Sequence, residues 1–205
     1  MFVISAALIL GAYLIGSIPW GLVVTRLAGS ADVRKTGSGN IGATNVNRVA
    51  GPALGLLTLA CDVGKGALPV LLAFCALGSP SNLVANVLAL TALAAFFGHL
   101  FPIYLRFKTG GKGAATTAGS YAVLSPAACL ICLMVFVVMV LWTRRVSVGS
   151  LCSSAALPIS VWLMSHSLPL TLAAGVATLV IFFRHAGNIR RILAGTEPKL
   201  AVKPR

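Results

Sequence analysis

Acidic residues are almost missing from this chain: Asp32, Asp62 and Glu197 are the three in 205 residues, against 16 lysines and arginines, for a net charge of +13. Three carboxylates scattered this widely exclude an all-oxygen Mg²⁺ or Ca²⁺ cage. Charge of either sign is scarce as well, at 9% of residues, while 58% are apolar. That balance excludes an ordinary water-soluble domain and makes a membrane protein the default. Aromatic residues amount to 7% and do not interleave with the basic ones on a common face, which argues against nucleic acid as the partner of the excess positive charge. Membrane and substrate anions fit it better. No basic region precedes the first apolar run, and that run, Phe2 to Val24, is too long for a signal-peptide core, so it is expected to remain as a helix. The five cysteines (Cys61, Cys75, Cys129, Cys132, Cys152) lie in apolar segments and read as small buried hydrophobes. Cys129 and Cys132 have redox spacing but no redox fold around them, and no disulfide is expected.

Apolar stretches run over about 2–25, 53–77, 83–105, 114–124, 127–143, 150–165 and 168–183. The expectation is an all-α, polytopic membrane protein of seven transmembrane segments. It would form one domain over 1–205, with the N-terminus outside and the C-terminus cytoplasmic. The alternative of one long pass over 114–142 fails on parity, since it puts Arg144 and Arg145 outside. With seven passes, every basic residue except Lys65 falls on one side: in loops at about 26–52, 106–113 and 144–150, and in a basic tail over 184–205. The opposite connections around Gly78–Asn82, Ser125–Pro126 and Ser165–Ser167 contain none. That bias marks the basic side as cytoplasmic. The eleven residues Ala114–Leu124 reach only about 17 Å as a helix against a hydrocarbon core of roughly 30 Å, which predicts a partial or re-entrant fourth segment.

The polar residues gather on that same face. The connection Ser30–Gly51 alternates Gly37, Gly39 and Gly42 with Ser38, Asn40, Thr44 and Asn45, and ends near Arg48. Glycines permit conformations that expose successive N–H groups, a concavity suited to an anion; the plainer alternative is a solvated loop. In RFKTGGKGAATTAG, Lys112 sits among Gly110, Gly111 and Gly113 just before the short helix, whose N-terminal N–H groups and dipole favour phosphate. This is not a P-loop, because the first glycine is missing and Ala114 follows Gly113. Asp62 and Lys65, three apart inside the second pass, share a helical face; intramembrane charge marks a cavity or functional site, or else a structural ion pair. His99 reads as a histidine holding a turn, and His166 as solvated. His185 and Asn188 share a face where the last pass meets the cytoplasm, among basic neighbours, and His185 is the candidate for catalysis or substrate orientation. Ser147 and Ser150 open the sixth segment, with helix capping as the alternative role.

Together these segments resemble the bacterial acyl-phosphate:glycerol-3-phosphate acyltransferases, the PlsY family of integral membrane enzymes. The pieces are GSIPWG, DVRKTGSGNIGATNVNRVAG, DVGKG, GHLFPIYLRFKTGGKGAAT, SVGS and RHAGNIRRILAGTEPK, in order over residues 16–199. The resemblance implies transfer of a fatty acyl group from acyl phosphate to the sn-1 hydroxyl of glycerol 3-phosphate. The products are lysophosphatidic acid and phosphate, in the first acylation of phospholipid synthesis at the bacterial inner membrane. The family's first motif falls on Ser38, Asn45 and Arg48, its second on Gly110–Gly113 with Lys112, and its third on Ser150, His185, Asn188 and Glu197. Two departures stand out: Thr109 separates the basic residue from GGKG, and Ala114 replaces a usual valine.

An acyl phosphate already carries a good leaving group, so no covalent nucleophile is needed. The chain agrees: it has no G-x-S-x-G elbow, and no histidine with an acid five positions later, the H-x-x-x-x-D of soluble-type glycerolipid acyltransferases. Direct transfer without metal, CoA or other cofactor is expected. Arg48, Lys112, Ser38, Asn45 and the glycine N–H groups would hold phosphate, and His185, Ser150 and Asn188 would polarise the acyl carbonyl, with Asp62, Lys65 and Glu197 in support. A different class, an organophosphate or phosphate transporter, would need polar groups on both halves of the membrane; the outer connections here are short and uncharged.

Overall fold

The computed structural model describes residues 1–78, 81–108 and 110–200. They are helical, with no strand among the described residues, and separate into two compact units, Met1–Leu124 and Ser125–Arg205. The boundary between the units falls at Ser125–Pro126. Pro126 has no N–H to continue a preceding helix and instead opens the next one, the position where proline is best tolerated.

In the first unit, α1 (Phe2–Gly16) and α2 (Trp20–Leu27) meet at a 44° bend. A single helix over 2–25 is therefore corrected to two: Pro19 removes a backbone donor and disfavours helical geometry at Ile18. Next come α3 (Ala43–Ala50), α4 (Pro52–Leu77), α5 (Asn82–Leu100), a 3₁₀ turn (Ile103–Leu105) and α6 (Ala114–Leu124). The expected pass over 83–105 ends as an α-helix at Leu100, ahead of Pro102. Helices pack through small residues, as within lipid, where close van der Waals contact replaces the hydrophobic drive. A methyl group on Gly16 would collide with the Ala95 backbone, one on Gly98 with that of Tyr13 and Ser17, and one on Gly66 with the Thr116 carbonyl. α1 thereby seats on α5, and α6 on α4.

The second unit contains α7 (Pro126–Thr143), α8 (Val146–Ser165), α9 (Leu168–Arg184) and α10 (Ala186–Leu193), the last bent 60° from α9. Gly149 lets α8 close against Val140 and Phe136 of α7. Thr178 of α9 donates to the Ser154 carbonyl of α8 at 2.7 Å. Among the described residues, four helices are long and apolar enough to cross a membrane, or up to six spans if each bent pair counts as one; α6, at 11 residues, is too short. Leu56, Leu57, Leu68 and Leu72 on α4 and Leu130, Leu133, Val138 and Leu141 on α7 are exposed. Apolar surface on this scale is a lipid-facing one.

Candidate active site

Within the first unit the polar loop between α2 and α3 is built, not loose. Val33, Ile41 and Val46 are buried with Leu22 and form its floor, while Gly37 and Gly39 take positive φ of 62° and 70° to turn the chain over that floor. Asn45, 2% exposed, is the loop's hub. Its Oδ1 accepts from the Ser38 N–H at 2.8 Å, and its Nδ2 donates to the carbonyls of Val33, Thr36 and Asn40 at 2.9, 3.2 and 2.9 Å. Both ends of the Asn45 amide are bound to the loop backbone, so it shapes the loop from beneath. Ser38 and Arg48 are exposed, as ligand-binding side chains need to be. Beside them Asp32 pairs with Arg34 at 2.6 Å, and hydrogen bonds from Arg34 lower the carboxyl to about 2.

The GGKG loop follows α5 closely. Arg106 and Phe107 adopt positive φ of 53° and 63° to reverse the chain after the 3₁₀ turn; Thr109 lies outside the described residues. Gly110, Gly111 and Gly113 are buried, while Lys112 between them is only half-buried. A methyl on Gly110 would meet the Leu100 carbonyl, one on Gly111 the His99 ring, and one on Gly113 the Phe96 ring. The Gly111 N–H donates to the His99 carbonyl at 3.1 Å, and the Thr117 N–H to that of Gly113 at 2.9 Å, which opens α6. The glycines therefore allow the backbone to lie flush on the end of α5, a packing demand that the sequence shares with, and disguises as, anion binding.

Beneath this loop the break at Pro19 acquires a purpose. Lys65 Nζ donates to the Ile18 carbonyl at 2.8 Å and pairs with Asp62 at 3.0 Å, so the two charges expected to share a face do so. His99 Nδ1 stands 3.6 Å from the same Asp62 oxygen.

In the second unit one carboxylate organises the site. Glu197 Oε1 accepts from Ser147 Oγ at 2.7 Å and from Asn188 Nδ2 at 2.6 Å, and Oε2 accepts from Arg191 Nε at 2.7 Å. Burial opposes its charge, but these hydrogen bonds outweigh burial and hold the carboxyl below its ordinary value. Ser147 thus bonds Glu197 rather than capping α8, whose first residues have no side-chain cap bond. The tail is strapped down by Arg145 Nε to the Glu197 carbonyl at 3.2 Å and by the Leu200 N–H to the Arg144 carbonyl at 2.7 Å. Glu197 in this way links the start of α8, where Ser150 stands one turn past Ser147, to α10, where Asn188 stands one turn past His185. His185 is 3% exposed, and its Nδ1 meets the Ile181 carbonyl at 2.8 Å. A carbonyl only accepts, so Nδ1 carries a proton here. Among the described residues, no three His, Cys, Asp or Glu side chains are arranged to hold a metal ion.

The polar clusters of both units lie at the ends of long apolar helices and on the short helices next to them. A family model described as glycerol-3-phosphate acyltransferase matches residues 6–195. The chain belongs to the glycerol-3-phosphate acyltransferase family. Its relatives include glycerol-3-phosphate acyltransferases from Syntrophotalea carbinolica, 48% identical over 93% of this chain and 94% of the relative, and from Methylorubrum extorquens, 42% identical over 98% and 95%. It is also similar to crystal structures of PlsY (YgiH), an integral membrane glycerol 3-phosphate acyltransferase. The glycerol 3-phosphate form matches with a TM-score of 0.89, 36% identity and 96% coverage of both chains. The lysophosphatidic acid form matches with a TM-score of 0.87 and 36% identity, over 96% of this chain and 95% of the other. An acyltransferase of this family is a multi-pass membrane protein of phospholipid biosynthesis, which leaves the transporter reading without support.

Proposed function

We propose that this chain transfers a fatty acyl group from acyl phosphate to the sn-1 hydroxyl of glycerol 3-phosphate, releasing lysophosphatidic acid and inorganic phosphate. The observation that carries the reading is the GGKG loop, in which a half-buried Lys112 stands between buried glycines packed on the end of α5. Solved relatives in a glycerol 3-phosphate form and a lysophosphatidic acid form support the acceptor and the product. Lys112 and Arg48 neutralise phosphate, with Ser38 and the loop N–H groups orienting it. His185, Ser150 and Asn188 polarise the acyl carbonyl and stabilise its developing negative charge. The hydroxyl oxygen attacks the acyl carbon and the bond from that carbon to the phosphate oxygen breaks. Phosphate leaves with its electron pair, so neither a covalent enzyme intermediate nor CoA is required. The hydroxyl proton goes to Nε2 of His185 or to the departing phosphate; His185→Gln, which keeps a polar side chain but has no basic nitrogen, retains turnover only in the second case.

The same reading has seven membrane segments, with the short α6 fourth, the N-terminus outside and the basic loops at the cytoplasmic face of the bacterial inner membrane. The charge bias of those loops supports it.

The test supplies detergent-purified protein with palmitoyl phosphate and glycerol 3-phosphate, with palmitoyl-CoA as the control donor. Lysophosphatidic acid is expected from the first donor and not the second, and activity with CoA alone overturns the donor. Lys112→Ala and His185→Ala, still folded, should each lose at least ~100-fold in kcat/KM; wild-type rates in either remove its role. Single cysteines at Asn40 and Lys112 should be labelled from the cytoplasmic face, and labelling from opposite faces sinks the topology.

A further inference from the structure

Three titratable groups of the first unit take no part in the reaction as drawn, yet they adjoin the GGKG loop. Asp62 and Lys65 on α4 pair with side chains 4% and 2% exposed. His99, 4% exposed, brings Nδ1 to 3.6 Å from Asp62 Oδ1. The opposite edge of the same imidazole faces the loop: a methyl built on Gly111 would fall on Nε2, Cε1 and Cδ2. The His99 carbonyl accepts the Gly111 N–H at 3.1 Å. His99 therefore stands between a buried carboxylate and the residue next to Lys112.

Cohesion alone does not call for this arrangement. Elsewhere in the unit the helices close through small residues, Gly16 on Ala95 and Gly66 on Thr116, which is the inexpensive way to pack in lipid. Buried ion pairs contribute little net stability compared with apolar packing of the same shape. What a fixed carboxylate does, and apolar packing does not, is set the direction of an imidazole ring. Lys65 is in turn held by the Ile18 carbonyl at 2.8 Å, so the carboxylate has a defined place.

We propose that the Asp62–Lys65 pair orients His99, and that His99 is a positioning residue that holds the Gly110–Gly113 loop in the geometry in which Lys112 meets phosphate. The inference rests on the reading of Lys112 as a phosphate-binding group. His99 acts through Lys112 and touches no substrate.

The experiment is a double-mutant cycle on the full-length purified chain, with fold checked by detergent size-exclusion and melting temperature. His99→Ala should lower kcat/KM for glycerol 3-phosphate tenfold or more, mostly through KM. His99→Asn, which keeps a polar side chain facing Asp62, should recover part of that loss. In a Lys112→Ala background, His99→Ala should change kcat/KM by less than twofold. A folded His99→Ala enzyme with wild-type kcat/KM overturns the proposal, and so does an equal loss in both backgrounds, because a general structural defect ignores Lys112. If Lys112→Ala itself keeps wild-type kcat/KM, the phosphate reading has failed and takes the proposal with it; if Lys112→Ala is impaired and His99→Ala is not, the proposal fails alone. Should His99→Ala not fold, Gly111→Ala is compared with Gly111→Ala/His99→Asn. Recovery of activity by the smaller side chain supports the contact, and no recovery overturns it.

Discussion

The two units solve one problem in opposite ways. In the first, the polar loops are held by backbone fit: glycines lie against Leu100 and Phe96, and a neutral amide, Asn45, gathers four backbone groups of its own loop. In the second, a single ionised carboxylate, Glu197, gathers Ser147, Asn188 and Arg191 across fifty residues of chain. Contacts of shape are sensitive first to added volume, and a site organised around a buried carboxylate is sensitive to its protonation as well.

The sharpest way to break the comparison is Glu197→Ala. It leaves Ser147 and Asn188 without their acceptor and should cost about 2–4 kcal/mol of stability, seen as a lower melting temperature, with activity reduced at least ~30-fold. Since the folded-state carboxyl lies below the ordinary 4.5, the stabilisation from its charge is complete above that value. It is lost as pH falls through the lowered folded value, so wild-type melting temperature should drop with acid there while Glu197→Gln stays flatter. Equal acid sensitivity in the two proteins would contradict the assignment.

A smaller effect of the other kind follows from Gly110→Ala, where the methyl meets the Leu100 carbonyl and backbone has to shift, for a loss of ~1–3 kcal/mol. Gly64 and Gly175 lie inside α4 and α9 with open space around them. Alanine there should be neutral or stabilise by up to ~1 kcal/mol, and a loss at Gly64 as large as at Gly110 would mean that close approach is not what the loop glycines supply. The smallest effect belongs to Asp32→Asn: the pair with Arg34 is about one-third exposed on both sides, so melting should move by the equivalent of under ~0.5 kcal/mol and less still at high salt.

How much of this was legible beforehand varies with the residue. Helix positions and the basic loops were, since apolar length and lysine–arginine bias are local quantities. Asp62 and Lys65 were, since three residues apart on a helix means one face. The break at Pro19 had a signal in the proline itself but was overridden by the apolar run around it, and the four loop contacts that Asn45 makes had no local signal. For Ser147 the sequence left helix capping open as an alternative, because a serine near a helix start can do either, and its bond to Glu197 50 residues away had no local signal.

By itself, then, the sequence determined the class of protein, the grouping of its basic residues in the connections and the tail, and the order of motifs that places it in its family, because each depends on neighbours along the chain. Only the tertiary structure decided that Lys65 takes the Ile18 carbonyl 47 residues away, that Glu197 takes Ser147 50 residues away, and that Gly111 needs to be glycine because of His99. Those contacts come from helices closing on one another at van der Waals distance, and the partner each group then meets is fixed by packing that no local pattern encodes.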